Sequence, residues 1–269
     1  MFDIRKAPLV LAAMTLTLSS APVAAYENDM TYPVLIVSGS DFAAGDAYEG
    51  YAGIFYALNR DLDREGVILR VLGSMGSFEY DVPPPGTTVD GDFWQGDVMI
   101  GYQWVRHGLE IGAYVGVDFQ DYDLSPDDPD NPVNGSETGF KVALDIESDD
   151  DIPAAHYFAL HGAYSTAFDT YFVLGRVGRN FDRFTIGPEV WAYGDETGDA
   201  QRVGAFLKFD LPPIIDRAST VVSLSGGYQF VDDNGGGYKT SSFGEEGGYF
   251  SINFRTAFGE SRSAGVPLK

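Results

Sequence analysis

From about residue 34 to residue 258 the chain alternates apolar with polar or small side chains, in stretches separated by clusters of Gly, Pro, Asp and Asn. Leu109 to Gln120 shows the pattern best. Its odd positions carry Leu, Ile, Ala, Val, Val and Phe, and its even positions Glu, Gly, Tyr, Gly, Asp and Gln. A repeat of two sends alternate side chains to opposite faces of a strand. The repeat predicts about twelve strands, over 34–43, 48–58, 67–82, 92–105, 109–122, 137–147, 155–165, 169–179, 183–193, 201–210, 219–230 and 247–258. No linker or change of composition divides them, so residues 26–258 are expected to form one domain, with residues 1–25 a leader and 259–269 a tail.

One strand face has no predicted helix to cover it. Its members include Val98, Ile100, Tyr102 and Trp104; Phe140, Val142, Leu144 and Ile146; Val203, Ala205, Leu207 and Phe209; Val222, Leu224, Tyr228 and Phe230; and Phe250, Ile252, Phe254 and Phe258. Aromatic residues gather at the ends of these sets, where a membrane interface would place them. If the strands alternate in direction, the connections 83–91, 123–136 and 231–246 share one end, and mostly short turns lie at the other. Outer-membrane barrels have this asymmetry, with the long loops outside the cell. A soluble β-sandwich uses the same alternation but gives no reason for loop lengths to segregate. The expectation is an all-β, antiparallel up-and-down transmembrane β-barrel of about twelve strands in the cell outer membrane.

Composition changes the picture in three ways. Arg5 and Lys6 precede an apolar, then small-residue-rich run from Ala7 to Ala25, which reads as a secretory signal peptide cut after Ala25. Pro8, Pro22 and the Thr/Ser content make the same run a poor membrane helix. Cysteine is absent, which excludes the small disulfide-stapled scaffolds of exported proteins. The net charge is −23, and the leader's Asp3, Arg5 and Lys6 contribute +1 of it, leaving −24 on the remainder. Such acidity argues against nucleic acid as a partner. It suits solvated loops, or a surface that holds divalent cations.

The other face would line the bore. It carries Glu110, Tyr114 and Asp118; Lys141 and Asp145; Glu189 and Trp191; Arg202, Phe206 and Lys208; Ser223, Ser225 and Gln229; Ser251, Asn253 and Arg255; and Arg70 and Arg176. Twelve strands enclose a space between the filled interior of an eight-stranded barrel and the open channel of a sixteen-stranded one. Ion pairs can plug such a bore, or it can pass a narrow solute. Tyr114, Tyr157 and Trp191 offer ring faces to a sugar. Tyr114, Glu189, Trp191 and Arg202 are the substrate-binding candidates.

Catalytic and metal signals are weak. The histidines are His107, His156 and His161, and only His161, near Ser165 and Asp169 in sequence, suggests a hydrolase-like group. No nucleophile motif accompanies it, and no catalytic residue is assigned. Asp127, Asp128, Asp130 and Asn131 supply oxygens for calcium, but without the calcium-loop spacing and among three prolines. Asp149-Asp150-Asp151 reads as a charged turn, and Asp232 to Gly237 as a loop. Pro188 removes a ladder donor and predicts a bulge or a break in pairing. No metal and no cofactor is expected.

Several longer stretches carry a resemblance: Ser38-Gly39-Ser40-Asp41-Phe42, Gly101-Tyr102-Gln103-Trp104, the Ser125 to Gly135 loop, Gly139-Phe140-Lys141, Tyr164 to Tyr171, Gly187-Pro188-Glu189 and Arg202 to Phe206. In this order, across nearly the whole chain after the leader, they resemble the cellulose biosynthesis protein BcsS family. The resemblance implies a setting in the outer envelope beside a cellulose synthase system, and it carries over no catalytic residues. The expected function is that of an outer-membrane accessory of exopolysaccharide, foremost cellulose, biosynthesis or export, meeting the glycan through its lumen or outer loops. Its expected partners are outer-membrane lipid, the polysaccharide and other cellulose synthase components. A lipid- or acyl-modifying enzyme and a plugged structural barrel are the alternatives.

Overall fold

The structure, a computed structural model, describes residues 30–82, 87–106, 108–148, 156–181, 184–212, 215–233 and 243–261. The leader with its cut after Ala25, His107, the Asp149 to Asp151 run and Asn234 to Gly237 lie outside the described residues.

Twelve strands follow in order: β1 (Met30–Ala43), β2 (Tyr48–Ala57), β3 (Gly66–Val82), β4 (Thr87–Arg106), β5 (Leu109–Ser125), β6 (Gly135–Ser148), β7 (His156–Ser165), β8 (Tyr171–Phe181), β9 (Phe184–Asp195), β10 (Gly198–Leu211), β11 (Ala218–Asp233) and β12 (Gly247–Ser261). Each pairs antiparallel with its chain neighbour, and β1 pairs with both β2 and β12, which closes the sheet into a barrel. Closure leaves no unpaired sheet edge in an apolar medium, where an unsatisfied backbone group would cost several kcal/mol. Both ends of the barrel chain, Met30 and Ser261, sit side by side at one rim. That rim, with the connections 58–65, 107–108, 149–155, 182–183 and 212–217, is called here the turn end. The opposite rim, the loop end, carries 44–47, 83–86, 126–134, 166–170, 196–197 and 234–246.

The faces follow the alternation. On the outside of β4, Trp94, Val98, Ile100, Tyr102 and Trp104 are all exposed. From Trp94 to Trp104 is ten residue steps of about 3.3 Å, which at a tilt of about 40° rise about 25 Å, the height of a bilayer's apolar band. Val115, Val117, Phe140, Val142, Val190, Val203, Phe230 and Phe250 continue the belt. Lipid contact is worth about 1.5–3 kcal/mol for each large apolar side chain. Val222 belongs to this face but is itself covered, paired across to Phe209 and Phe254. A shallow apolar groove of about 710 Å³ lies on the same outer wall, between Ile100, Val115, Val142, Leu144, Tyr164 and Val173.

Two differences from the sequence reading have local causes. Residues 87–91 and 123–125, read as loop, are strand. There the outer positions Asp90, Asp92, Asp121 and Asp123 are acidic, so the lipid signature stops while inward Val89, Tyr122 and Leu124 stay buried and hold the pairing. Residues 259–261, read as the start of the tail, are strand, because β12 runs on to Ser261 and the Gly259 N–H donates to the Arg217 carbonyl; the rest of the 259–269 reading lies outside the described residues. Pro188 produces no bulge. Pairing of β8 with β9 is broken opposite it, between Arg176–Glu189 and Arg179–Ile186, and resumes in the same register.

Inward glycines let large rings lie flat on the wall. A Cβ at Gly112 would stand 2.6 Å from the Tyr114 hydroxyl, and one at Gly178 would stand 2.9 Å from the Phe206 ring. This is how a bore of this width accepts so many aromatic side chains.

Candidate functional site

The bore is crossed by charged side chains that satisfy one another. Glu189 on β9 is 1 % exposed. It accepts from Arg176 Nε at 2.8 Å, Ser225 Oγ at 2.9 Å and the Tyr249 hydroxyl at 2.8 Å. Arg202 on β10 donates to the Asp41 carboxylate at 2.8 Å and to Gln229 Oε1 at 2.8 Å. Its guanidinium lies 4.8 Å from the Tyr249 ring centre, 5.0 Å from Tyr193 and 5.9 Å from Trp191. Desolvation of these groups is offset only because each finds its partners already placed.

Across the bore, Lys141 Nζ reaches Asp97 at 2.9 Å and Asp118 at 3.3 Å, and Arg70 reaches Asp97 at 3.2 Å. Gln120 donates to Asp118 at 2.7 Å and to Thr170 Oγ1 at 2.8 Å. Toward the turn end, Glu147 accepts from Arg255, from Lys208 at 3.1 Å and from the Tyr157 hydroxyl at 2.9 Å. His161 Nδ1 lies 3.0 Å from Asp145.

The loop end carries apolar packing on one side of its mouth. Phe78, Tyr80, Val89, Tyr122, Leu124, Val133 and Phe168 form one buried cluster inside the projecting β3–β4–β5 wall. The Tyr122 ring meets Phe168 edge-on at 5.3 Å and Phe93 in a stack at 5.7 Å. Phe168 enters from a one-turn 3₁₀ segment, Ala167–Asp169, with φ at 47°, held by a hydrogen bond from its N–H to Glu137 at 2.9 Å. On the other side of the mouth, Gln229 donates to the carbonyls of Phe243 at 2.8 Å and Glu245 at 3.2 Å.

Of the four candidates from sequence, Glu189, Trp191 and Arg202 come together through Tyr249 and the guanidinium cage. Tyr114 stands apart on β5, packed with Ala57, Ile68, Met99 and Ala143 and edge-on to Phe55 at 6.1 Å. Tyr157 is buried between the Lys208 ammonium at 4.6 Å and the Phe206 ring at 5.5 Å. All the inward assignments hold. What sequence reasoning missed is which inward residues pair. Asp41, Glu147, Tyr193 and Tyr249 were not singled out, although each occupies an inward position of the alternation.

The hydrolase-like group does not assemble. Ser165 Oγ accepts the Ala167 N–H at 3.1 Å, Asp169 accepts the Tyr164 hydroxyl on the outer wall, and His161 faces Asp145 in the bore. The 126–134 loop spends its oxygens internally. Asp128 accepts from Tyr80 at 2.9 Å, Asn131 donates to Tyr80 at 2.9 Å and accepts from the Val133 N–H at 2.9 Å, and Asp127 accepts from Asn134 at 3.2 Å. Among the described residues no group of three or more His, Asp or Glu side chains is arranged to hold a metal.

The closed cylinder, apolar outside and ion-paired within, defines the class: a transmembrane β-barrel of the outer-membrane type. The model of the cellulose biosynthesis protein BcsS family matches residues 35–258, and the chain belongs to that family. A search of curated proteins gave no match. Among solved structures, a KdgM porin in complex with disordered oligogalacturonate shares 10 % identity over 83 % of this chain and 99 % of its own, with a TM-score of 0.41. LpxR from Salmonella typhimurium shares 10 % identity over 84 % of this chain and 99 % of its own, with a TM-score of 0.43. A mutant of the TodX monoaromatic hydrocarbon channel shares 9 % over 87 % and 90 %, also at 0.43.

Proposed function

We propose that the protein works in the outer membrane as a non-catalytic accessory of cellulose production, with its loop end outside the cell and its turn end in the periplasm. It contacts the glucan and associates with the synthesis machinery without serving as a free-running channel. Family membership and the lipid-facing belt support the setting. The observation that carries the rest is the bore itself: ion pairs cross it at mid-height, and the Phe78–Tyr122–Phe168 cluster packs one side of its loop end. A structural barrel that touches no glycan is the second reading, favoured by the same buried pairs. The separation of His161, Ser165 and Asp169 supports leaving catalysis out.

The refolded protein in a planar bilayer should pass little or no steady current, and detergent-solubilised protein should bind cello-oligosaccharides. A large, stable conductance that cello-oligosaccharide blocks would replace this reading with a transport channel. Absence of any glucan affinity would leave the structural barrel.

A further inference from the structure

Exposure varies along the bore. At mid-height the inward polar groups Asp118, Gln120 and Glu189 have at most 1 % of their surface exposed, while nearer the loop end Gln229 is fully buried and the Asp41 side chain keeps 20 %. Toward the turn end, the Arg255 side chain keeps 42 % exposure, Asp145 29 % and His161 26 %, although all three point inward. From the turn end, solvent therefore reaches into the barrel as far as the Arg176–Glu189–Tyr249 and Lys141–Asp97–Asp118 crossings, whose carboxylates are fully buried.

We propose that the turn-end half of the bore is a blind polar chamber that receives the end of a neutral, hydroxyl-rich glucan chain from the periplasm. This rests on the orientation and the glucan partner given under the proposed function. The chemistry of the wall selects such a ligand. Glu110, Asp145 and Glu147 accept, Arg255 and Lys208 donate, and the His161 ring offers a donor or an acceptor according to its tautomer. A sugar hydroxyl also donates and accepts, so a neutral chain can satisfy both kinds of group without leaving a buried charge unmatched. An anionic ligand would face three carboxylates, and a cationic one would face Arg255 and Lys208. The wall is also held in place, because Glu147 is fixed by Arg255, Lys208 and Tyr157 together. Preorganised donors and acceptors lower the ordering cost of binding. Glu189, Arg202 and Trp191 then belong to the chamber's ceiling.

The chain has no cysteine, so single cysteines report access cleanly. Val37 is the β1 register partner of Arg255 and faces the same chamber. In Val37→Cys a membrane-impermeant maleimide should react when supplied from the periplasmic side and not from outside intact cells, while Ser125→Cys at the loop end should react from outside. Labelling of Val37→Cys from outside overturns the blind chamber. For the ligand, cellopentaose binding to purified protein should weaken by about tenfold or more in Glu110→Ala/Asp145→Ala, the loss expected for hydrogen bonds to charged groups. Arg255→Lys keeps a cation beside Glu147 and should weaken binding as well, with heat-modifiable gel mobility confirming a folded barrel. Asp121→Ala, on the outer wall at the loop end, should bind like the parent. Cellopentaose affinity that the chamber variants leave unchanged overturns this site and spares the glucan reading. Loss of all affinity in the parent protein overturns both.

Discussion

Glu189 concentrates the residue-scale physics of this barrel. Three donors converge on a carboxylate that water does not reach. Removing it leaves Arg176 charged and buried, a loss of about 3–5 kcal/mol, whereas replacing both members of a buried pair by apolar groups costs far less. Glu189→Ala should therefore lower the urea midpoint of the micelle-bound protein much more than Arg176→Leu/Glu189→Leu does. Equal losses in the two variants would show that the pair contributes no more than packing. The same residue shows how far a sequence can be read at this scale. Alternation places Glu189, Arg202 and Tyr114 in the bore, but one-dimensional order does not say that Glu189 meets Tyr249, 60 positions away.

At the scale of elements, strand register is fixed by the requirement that every apolar set face outward, since a slip by one residue would turn a whole strand inside out. Glycine placement adds a second constraint, at contacts where backbones approach closely. A Cβ on Gly187 would overlap the Val177 carbonyl oxygen across the interrupted β8–β9 ladder, whereas one on Gly96 would make only an ordinary 3.5 Å contact with Leu72. Gly187→Val should abolish the heat-resistant folded band on a gel, and Gly96→Ala should leave it in place. If both fold equally well, the close β8–β9 approach is not needed. Strand existence and facing were legible from sequence because lipid enforces the alternation. The added lengths of β4 and β5 were not, because beyond the bilayer the outer positions turn acidic and nothing apolar marks them.

For the whole molecule, the largest buried aromatic cluster among the described residues narrows the loop end. This cluster brings together β3, β4, β5, the 126–134 loop and the 3₁₀ turn that presents Phe168. Tyr122→Ala/Phe168→Ala removes two interlocked rings, and its conductance in a planar bilayer should rise above that of the parent while the apolar belt still inserts the barrel. An unchanged current would place the barrier deeper, at the ion-paired crossings. Charge is distributed along the axis as well. Among the described residues the exposed arginines Arg60, Arg64, Arg106, Arg179 and Arg217 all lie toward the turn end, and Asp90, Asp92, Asp121, Asp123, Asp127 and Asp130 toward the loop end. The loop end of the protein is thus anionic, which disfavours anionic polymers there.

By itself the sequence determined a strand protein with one oily face and one wet one, connected by long loops at one end, because the two-residue repeat and the lipid it answers to act locally along the chain. Only the tertiary structure decided that β1 closes on β12, that inward charges pair across the bore, and that aromatic rings cluster at its loop end. Those outcomes depend on strand stagger and on contacts between residues far apart in sequence, and a local pattern carries no record of either.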